Sequence, residues 1–219
     1  MFNEKLKFFL LVFVSVAGFG ARPLSVDDAK VVEKGIYEVE LGYDFSNTGN
    51  DIGNRSIGLS IKHGITERFD FGIGIPYNIE PDDGLSDVEF AMKLALFNRK
   101  ILAGSFVVGY VPGESGYTAV GILSVQAGPV VTHINLGYTA LPELREDVAV
   151  YGVAVEYPLS DKITLVSELT GELKKGPIEA LIGGSFLAFN VLAIDLGIGC
   201  GLTEESSEIK FTLGLTYGF

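Results

Sequence analysis

Charged side chains recur at alternate positions through several stretches of this sequence. Glu38, Glu40 and Asp44 begin the series, followed by Lys62, Asp70, Asp87, Glu89 and Lys93, and later by Glu156, Glu168, Asp195 and Lys210, with His133 and Asn135 in the same phase. Carboxylates outnumber ammonium groups in this set. A fold that gathers them makes a surface of negative potential, which attracts cations and admits neutral solutes more readily than anions. The competing arrangement is mutual pairing, with Lys62, Lys93 and Lys210 as the cationic partners, in a closed interior.

Other chemistries are thinly supplied. His63 and His133 stand far apart and Cys200 is the single cysteine, so no metal-ligand cluster forms and no internal disulfide is available. Gly197-x-Gly199-x-Gly201 lies inside an alternating stretch with no helix after it, which excludes a nucleotide-binding loop. Nucleophilic catalysis needs a base within hydrogen-bond reach of its nucleophile. The His–x–Ser spacing of lipid-hydrolysing barrels is missing, because Asn135 follows His133 and Ile65 follows His63 at that distance. The sequence therefore offers no catalytic residue, no metal site and no cofactor. A formal net charge of −12 argues against nucleic acid, whose phosphates need clustered Lys and Arg.

The elements that must position these residues are strands. From Glu208 to Phe219 the apolar residues Ile209, Phe211, Leu213, Leu215, Tyr217 and Phe219 occupy every second place, and Lys210, Thr212, Gly214, Thr216 and Gly218 lie between them. A period of two sends the two sets to opposite faces. The same pattern runs through Tyr37–Phe45, Ile57–Lys62, Phe69–Tyr77, Val88–Leu96, Val130–Thr139, Ala149–Tyr157, Ile163–Glu172 and Leu192–Leu202. Stretches near Leu102–Val111, Thr118–Ala127 and Ile178–Leu187 complete a count of twelve, although the sixth is too irregular for its faces to be assigned. Turn residues such as Gly128-Pro129 and Pro158-Leu159-Ser160-Asp161 alternate with longer polar loops, including 47–54, 78–86 and 141–147.

Apolar content of 47% is high for a soluble chain, yet after Val16 no apolar run approaches the ~20 residues of a membrane-spanning helix. Hydrophobicity spread over one face of many strands is the requirement of a transmembrane β-barrel, and an even strand count returns the C-terminus to the side of the N-terminus. The expectation is an all-β, antiparallel up-and-down transmembrane barrel over residues 35–219, its apolar face toward lipid and its charged face lining a lumen. Residues 1–20 read as a signal peptide, with Lys5 and Lys7, the apolar core Phe8–Val16 and the small-x-small site Gly18-Phe19-Gly20. Residues 21–34 lack alternation and read as a short periplasmic lead-in, with a plug at Arg22–Glu33 inside the lumen as the open alternative. Inward glycines, Gly42, Gly152 and Gly214 among them, add little bulk and suggest an open lumen.

The last strand, ending on Tyr217 and Phe219, resembles the C-terminal assembly signal of bacterial outer-membrane barrels. Further segments, VEKGIYEVELGYDFS (32–46), HGITERFDFGIGIPY (63–77), GLSDVEFAMKLALF (84–97), HINLGYT (133–139) and YGVAVEYPLSDKITLVSELTGE (151–172), resemble the outer-membrane channel family labelled "MetA-pathway of phenol degradation". That resemblance implies a barrel moving small hydrophobic or aromatic compounds. The expected setting is the bacterial outer membrane, with outer-membrane lipids and the barrel-assembly machinery as partners and a monomeric channel as the product. A structural or adhesive barrel with an occluded lumen is the competing reading.

Overall fold

The alternating stretches become twelve long strands in a computed structural model that describes residues 22–47, 53–81, 83–141, 146–174, 176–189 and 191–219. The expected signal peptide and the centres of the 47–54 and 141–147 loops lie outside the described residues. The strands are β1 Tyr37–Asn47, β2 Asn54–Thr66, β3 Phe69–Glu80, β4 Glu89–Arg99, β5 Leu102–Val111 and β6 Gly116–Ala127. They continue as β7 Val130–Leu141, β8 Glu146–Pro158, β9 Ile163–Glu172, β10 Ile178–Ala188, β11 Leu192–Gly201 and β12 Ile209–Gly218. Each pairs antiparallel with its neighbours in sequence, and β1 closes the ring on β12, with Leu41 opposite Leu215 on one side and Leu59 on the other. The final strand closes against β11 and β1, as its alternation anticipates. A two-residue bridge, Gly84–Leu85, extends the β3 edge opposite Asn78 and Tyr77.

Connections are two to four residues long at one end of the barrel and four to eight at the other. Closure leaves no unpaired edge, which is the condition for strands to cross a bilayer. The exterior meets the other condition. Leu136, Ile182 and Ile198 are 61%, 65% and 56% exposed, a state that a soluble barrel with an apolar core would not leave them in. Leu41, Met92, Leu213 and Leu215 share the same outward phase. Aromatic rings gather at the barrel ends: Tyr37 stacks on His63 and Phe219, Tyr217 stacks on Phe219, and Tyr110 stacks on Tyr117.

The interior departs from a uniformly polar lumen. Glu40, Lys62, Asp70, Lys93, His133, Glu168 and Asp195 are buried there, but so are Ala91, Val107, Ile122, Ala154, Val166 and Leu181. This explains the illegible sixth strand. Val120 and Ile122 point inward between Thr118 and Ser124 while Leu123 points outward, so apolar residues fall on both faces of β6 and blur the period of two.

Candidate functional site

Residues 22–33, read from the sequence as a periplasmic lead-in with a lumen plug as the alternative, run through the interior of the barrel. Twelve strands enclose more than their side chains fill, since about eight strands leave a just-filled interior and 16–18 an aqueous channel. The segment occupies the difference. Leu24 and Val26 bury against Ala154, Val166 and Leu181, and Ala29 buries against Ala91, Val107 and Ile122. The apolar patches of the wall thus have apolar partners, and burying a side chain such as Leu24 or Val26 favours the seated segment by roughly 1.5–3 kcal/mol.

An extended segment without a strand partner still carries backbone donors that need acceptors. The wall supplies them one by one. Glu168 accepts from Ser25 N at 2.8 Å, Ser25 Oγ at 3.1 Å and Val26 N at 3.0 Å. Ser124 Oγ accepts from Ala29 N at 2.9 Å, and Asp70 accepts from Val32 N at 2.8 Å. Asn135, with its amide oriented to satisfy both ends, donates to Asp27 O at 2.9 Å and accepts from Asp27 N at 2.8 Å, the two-point contact of a strand neighbour. Lys93 Nζ donates to Asp27 Oδ1 at 2.8 Å and to the carbonyls of Asp28 and Lys30.

The leading end is anchored by charge. Arg22 donates Nε to Glu40 at 2.9 Å, Nη2 to Asp44 at 2.9 Å and Nη1 to Thr212 at 2.9 Å. Its guanidinium fills the space that a Cβ on Gly42 would take, and Val26 does the same at Gly152. The inward glycines therefore make room for the segment and leave no open lumen at this level.

Most of the expected lumen residues face this interior. Glu38 pairs with Lys62 at 2.9 Å, and Lys210 pairs with Glu179 at 2.6 Å. Ser124 Oγ, which accepts from Ala29 N, also shares a hydrogen bond of 2.8 Å with His133 Nδ1, and His133 Nε2 lies 3.6 Å from Glu156 Oε1. Asp195 is 1% exposed, and its Oδ2 has no hydrogen-bond partner among the described residues. Glu89 is half-buried at the start of β4, opposite Gly74. Asp87 does not join them: β4 begins after it, and its exposed carboxylate sits against Gly113 in the β5–β6 loop. Among the described residues there is no group of three or more His, Cys, Asp or Glu placed to hold a metal ion.

Sequence reasoning missed Arg22, Ser25, Asp27, Ser124 and Glu179. Arg22, Ser25 and Asp27 belong to no repeating pattern. Glu179 was hidden because Gly183-Gly184-Ser185 blurs the alternation of β10, and Ser124 because Val120 and Ile122 interrupt the phase it shares with Thr118 and Gln126.

Above Ser25 and Val26, toward the long-loop end, a cavity of about 110 Å³ remains. Val120 and Val150 form apolar walls, Thr118, Thr139 and Thr170 supply hydroxyls, and Glu179 and Lys210 stand at its margin.

A closed antiparallel barrel with an apolar exterior and an ion-paired interior defines the class: a membrane-spanning β-barrel with the fold of bacterial outer-membrane porins. No protein-family profile and no curated protein matches the chain. Solved structures match its fold. The KdgM porin, solved with disordered oligogalacturonate, has a TM-score of 0.67 at 9% identity, over 83% of this chain and 99% of that one. The COG4313 outer-membrane channel from Pseudomonas putida F1 gives 0.63 at 10% identity, over 88% and 98%, and the NanC porin 0.61 at 10% identity, over 83% and 98%.

Proposed function

We propose that the protein is a monomeric outer-membrane channel for passive diffusion of small solutes, with an acidic lumen and a preference for hydrophobic or aromatic compounds. The cavity above Val26 carries this reading. An apolar cavity of about 150 Å³ accommodates a benzene-sized guest, and 110 Å³ walled by Val26, Val120 and Val150 suits a single ring or a short chain. The threonine hydroxyls of Thr118, Thr139 and Thr170 offer such a guest a hydrogen bond. The porin-like fold supports passive passage, and the resemblance to the phenol-degradation family supports the aromatic preference. Acid excess supports the charge preference: Arg22, Lys62, Lys93 and Lys210 face Asp27, Glu38, Glu40, Asp44, Asp70, Glu168, Glu179 and Asp195.

Planar-bilayer recording of refolded protein tests the channel, with steps above background and a cation-preferring reversal potential expected across a salt gradient. Vesicle uptake tests the solute, a neutral single-ring compound entering faster than a sugar of similar mass. Absence of both conductance and uptake would leave the occluded structural barrel, which the filled interior favours as the second reading. Anion preference would remove the acidic-lumen assignment alone.

A further inference from the structure

Every stave of the barrel has two ladder partners, whereas residues 22–33 have none and touch the wall through isolated side-chain contacts. Glu168, Ser124 and Asp70 each receive backbone N–H groups, Lys93 binds a carboxylate and two carbonyls, and Glu40 with Asp44 holds a guanidinium. These are the elements of a peptide-recognition groove, with main-chain bonds for affinity and pockets for alternate side chains. We propose that the inner wall is a peptide-binding site whose resident ligand is the chain's own segment 22–33, and that this ligand leaves its seat for solute to pass. The ligand class is an extended peptide with a guanidinium at its first position, apolar groups at the third and fifth, and a carboxylate at the sixth, the places of Arg22, Leu24, Val26 and Asp27.

Three observations make the seat separable from the barrel. Unseating breaks no strand ladder. The contacts it does break are polar groups that water can replace, plus the small apolar patches under Leu24, Val26 and Ala29. The segment joins β1 through Gly35, whose φ of +82° is accessible to glycine, beside the fixed bridge of Lys34 to Gly64. The pivot is therefore pinned to the barrel while the residues before it remain free to swing. Departure uncovers Glu40, Asp44, Asp70 and Glu168 together with Lys93, and carries away Arg22 and Lys30 along with Asp27, Asp28 and Glu33, so the wall exchanges paired groups for hydrated ones with little change in net charge.

The site rests on the channel reading for its role but not for its existence, and the experiment separates the two. A Cβ on Gly152 lies 3.7 Å from Val26 Cβ, inside the ~3.5–4.5 Å range of a disulfide. The variant V26C/G152C/C200S, refolded in bilayers, is expected to lose about tenfold or more of its open probability on oxidation and to regain it with reductant. Confirmed cross-linked protein that conducts like the reduced form would overturn departure of the segment. Failure of the cysteines to cross-link would count against the seat itself. In parallel, a chain lacking residues 22–33 is expected to bind a labelled synthetic peptide of that sequence saturably, read by fluorescence anisotropy, and more weakly when its order is scrambled. Equal binding of the two peptides would overturn the recognition site. Peptide binding by a barrel that never conducts would sink the channel reading and leave the site standing.

Discussion

Glu168 holds the interior segment through its backbone and a hydroxyl, so replacing it with glutamine gives a graded test of the seating. The carboxylate accepts three hydrogen bonds from Ser25 and Val26 at 2.8–3.1 Å, while being only 7% exposed. Glutamine keeps the volume and one carbonyl oxygen but turns the other oxygen into a donor facing donors. Hydrogen bonds to charged groups contribute about 1.5–3 kcal/mol each, and neutral ones about 1 kcal/mol. Losing one to two effective bonds at Glu168 weakens the seat by about 2–3 kcal/mol. Neutralisation also removes the cost of dehydrating the carboxylate when the segment seats, which offsets about 1 kcal/mol. The net loss of about 1–2 kcal/mol corresponds to a five- to thirtyfold rise in the unseated fraction. Thiol labelling reads it. With Val26→Cys in a Cys200→Ser background, position 26 is buried when seated and reactive when released. Adding E168Q should raise the labelling rate by that factor while leaving heat-modifiable mobility of the barrel unchanged. A rate unchanged within twofold would refute the dependence of the seat on Glu168.

Three further expectations follow from the same geometry. Gly152→Val places methyl groups against Val26, whose Cγ2 lies 2.5 Å from a Cβ at that position, and should unseat the segment with little loss of barrel stability in urea unfolding. Leu213→Arg, on the exposed outward face of β12, should cost about 2–4 kcal/mol of stability in vesicles, and a loss under 0.5 kcal/mol would contradict a lipid-facing assignment. Removing Phe219 deletes the terminal pair Tyr37 N to Phe219 O at 2.9 Å and Phe219 N to Tyr37 O at 3.0 Å, with its ring stack on Tyr37. Membrane yield should fall sharply while the conductance of assembled protein holds, and normal insertion of the truncated chain would argue against Phe219 as part of the assembly signal.

Neutralising Glu38, Glu40 and Glu168 together should weaken the cation preference in bilayer recordings, and the seated segment adds a second effect. As residues of an empty lumen they would set charge preference alone. Glu40 holds Arg22 and Glu168 holds Ser25 and Val26, so their loss should also raise open probability. Glu38 pairs instead with Lys62, and replacing it alone leaves the segment's own contacts intact.

Alternation determined most of the strands and the two opposite faces of each, because a strand's period of two is written locally in each ten-residue stretch, while the choice of the apolar face for lipid rested on the signal peptide, the terminal Phe219 and the unbroken apolar faces. Leu213 and Lys210 declare their faces without reference to any other strand. The inner face was legible only where it was polar; β6 was not, because Ile122 and Val120 point inward beside outward Ala119 and Leu123. Asp87 kept the charge phase of β4 but fell just before its first residue, where ladder pairing and not periodicity sets the boundary. The occupant of the lumen was decided by tertiary structure alone. Residues 22–33 carry no period, and their place depends on acceptors from β3, β6, β7 and β9 and on space left by Gly42 and Gly152. Those groups lie far apart in the chain and become one site only when the twelfth strand closes on the first.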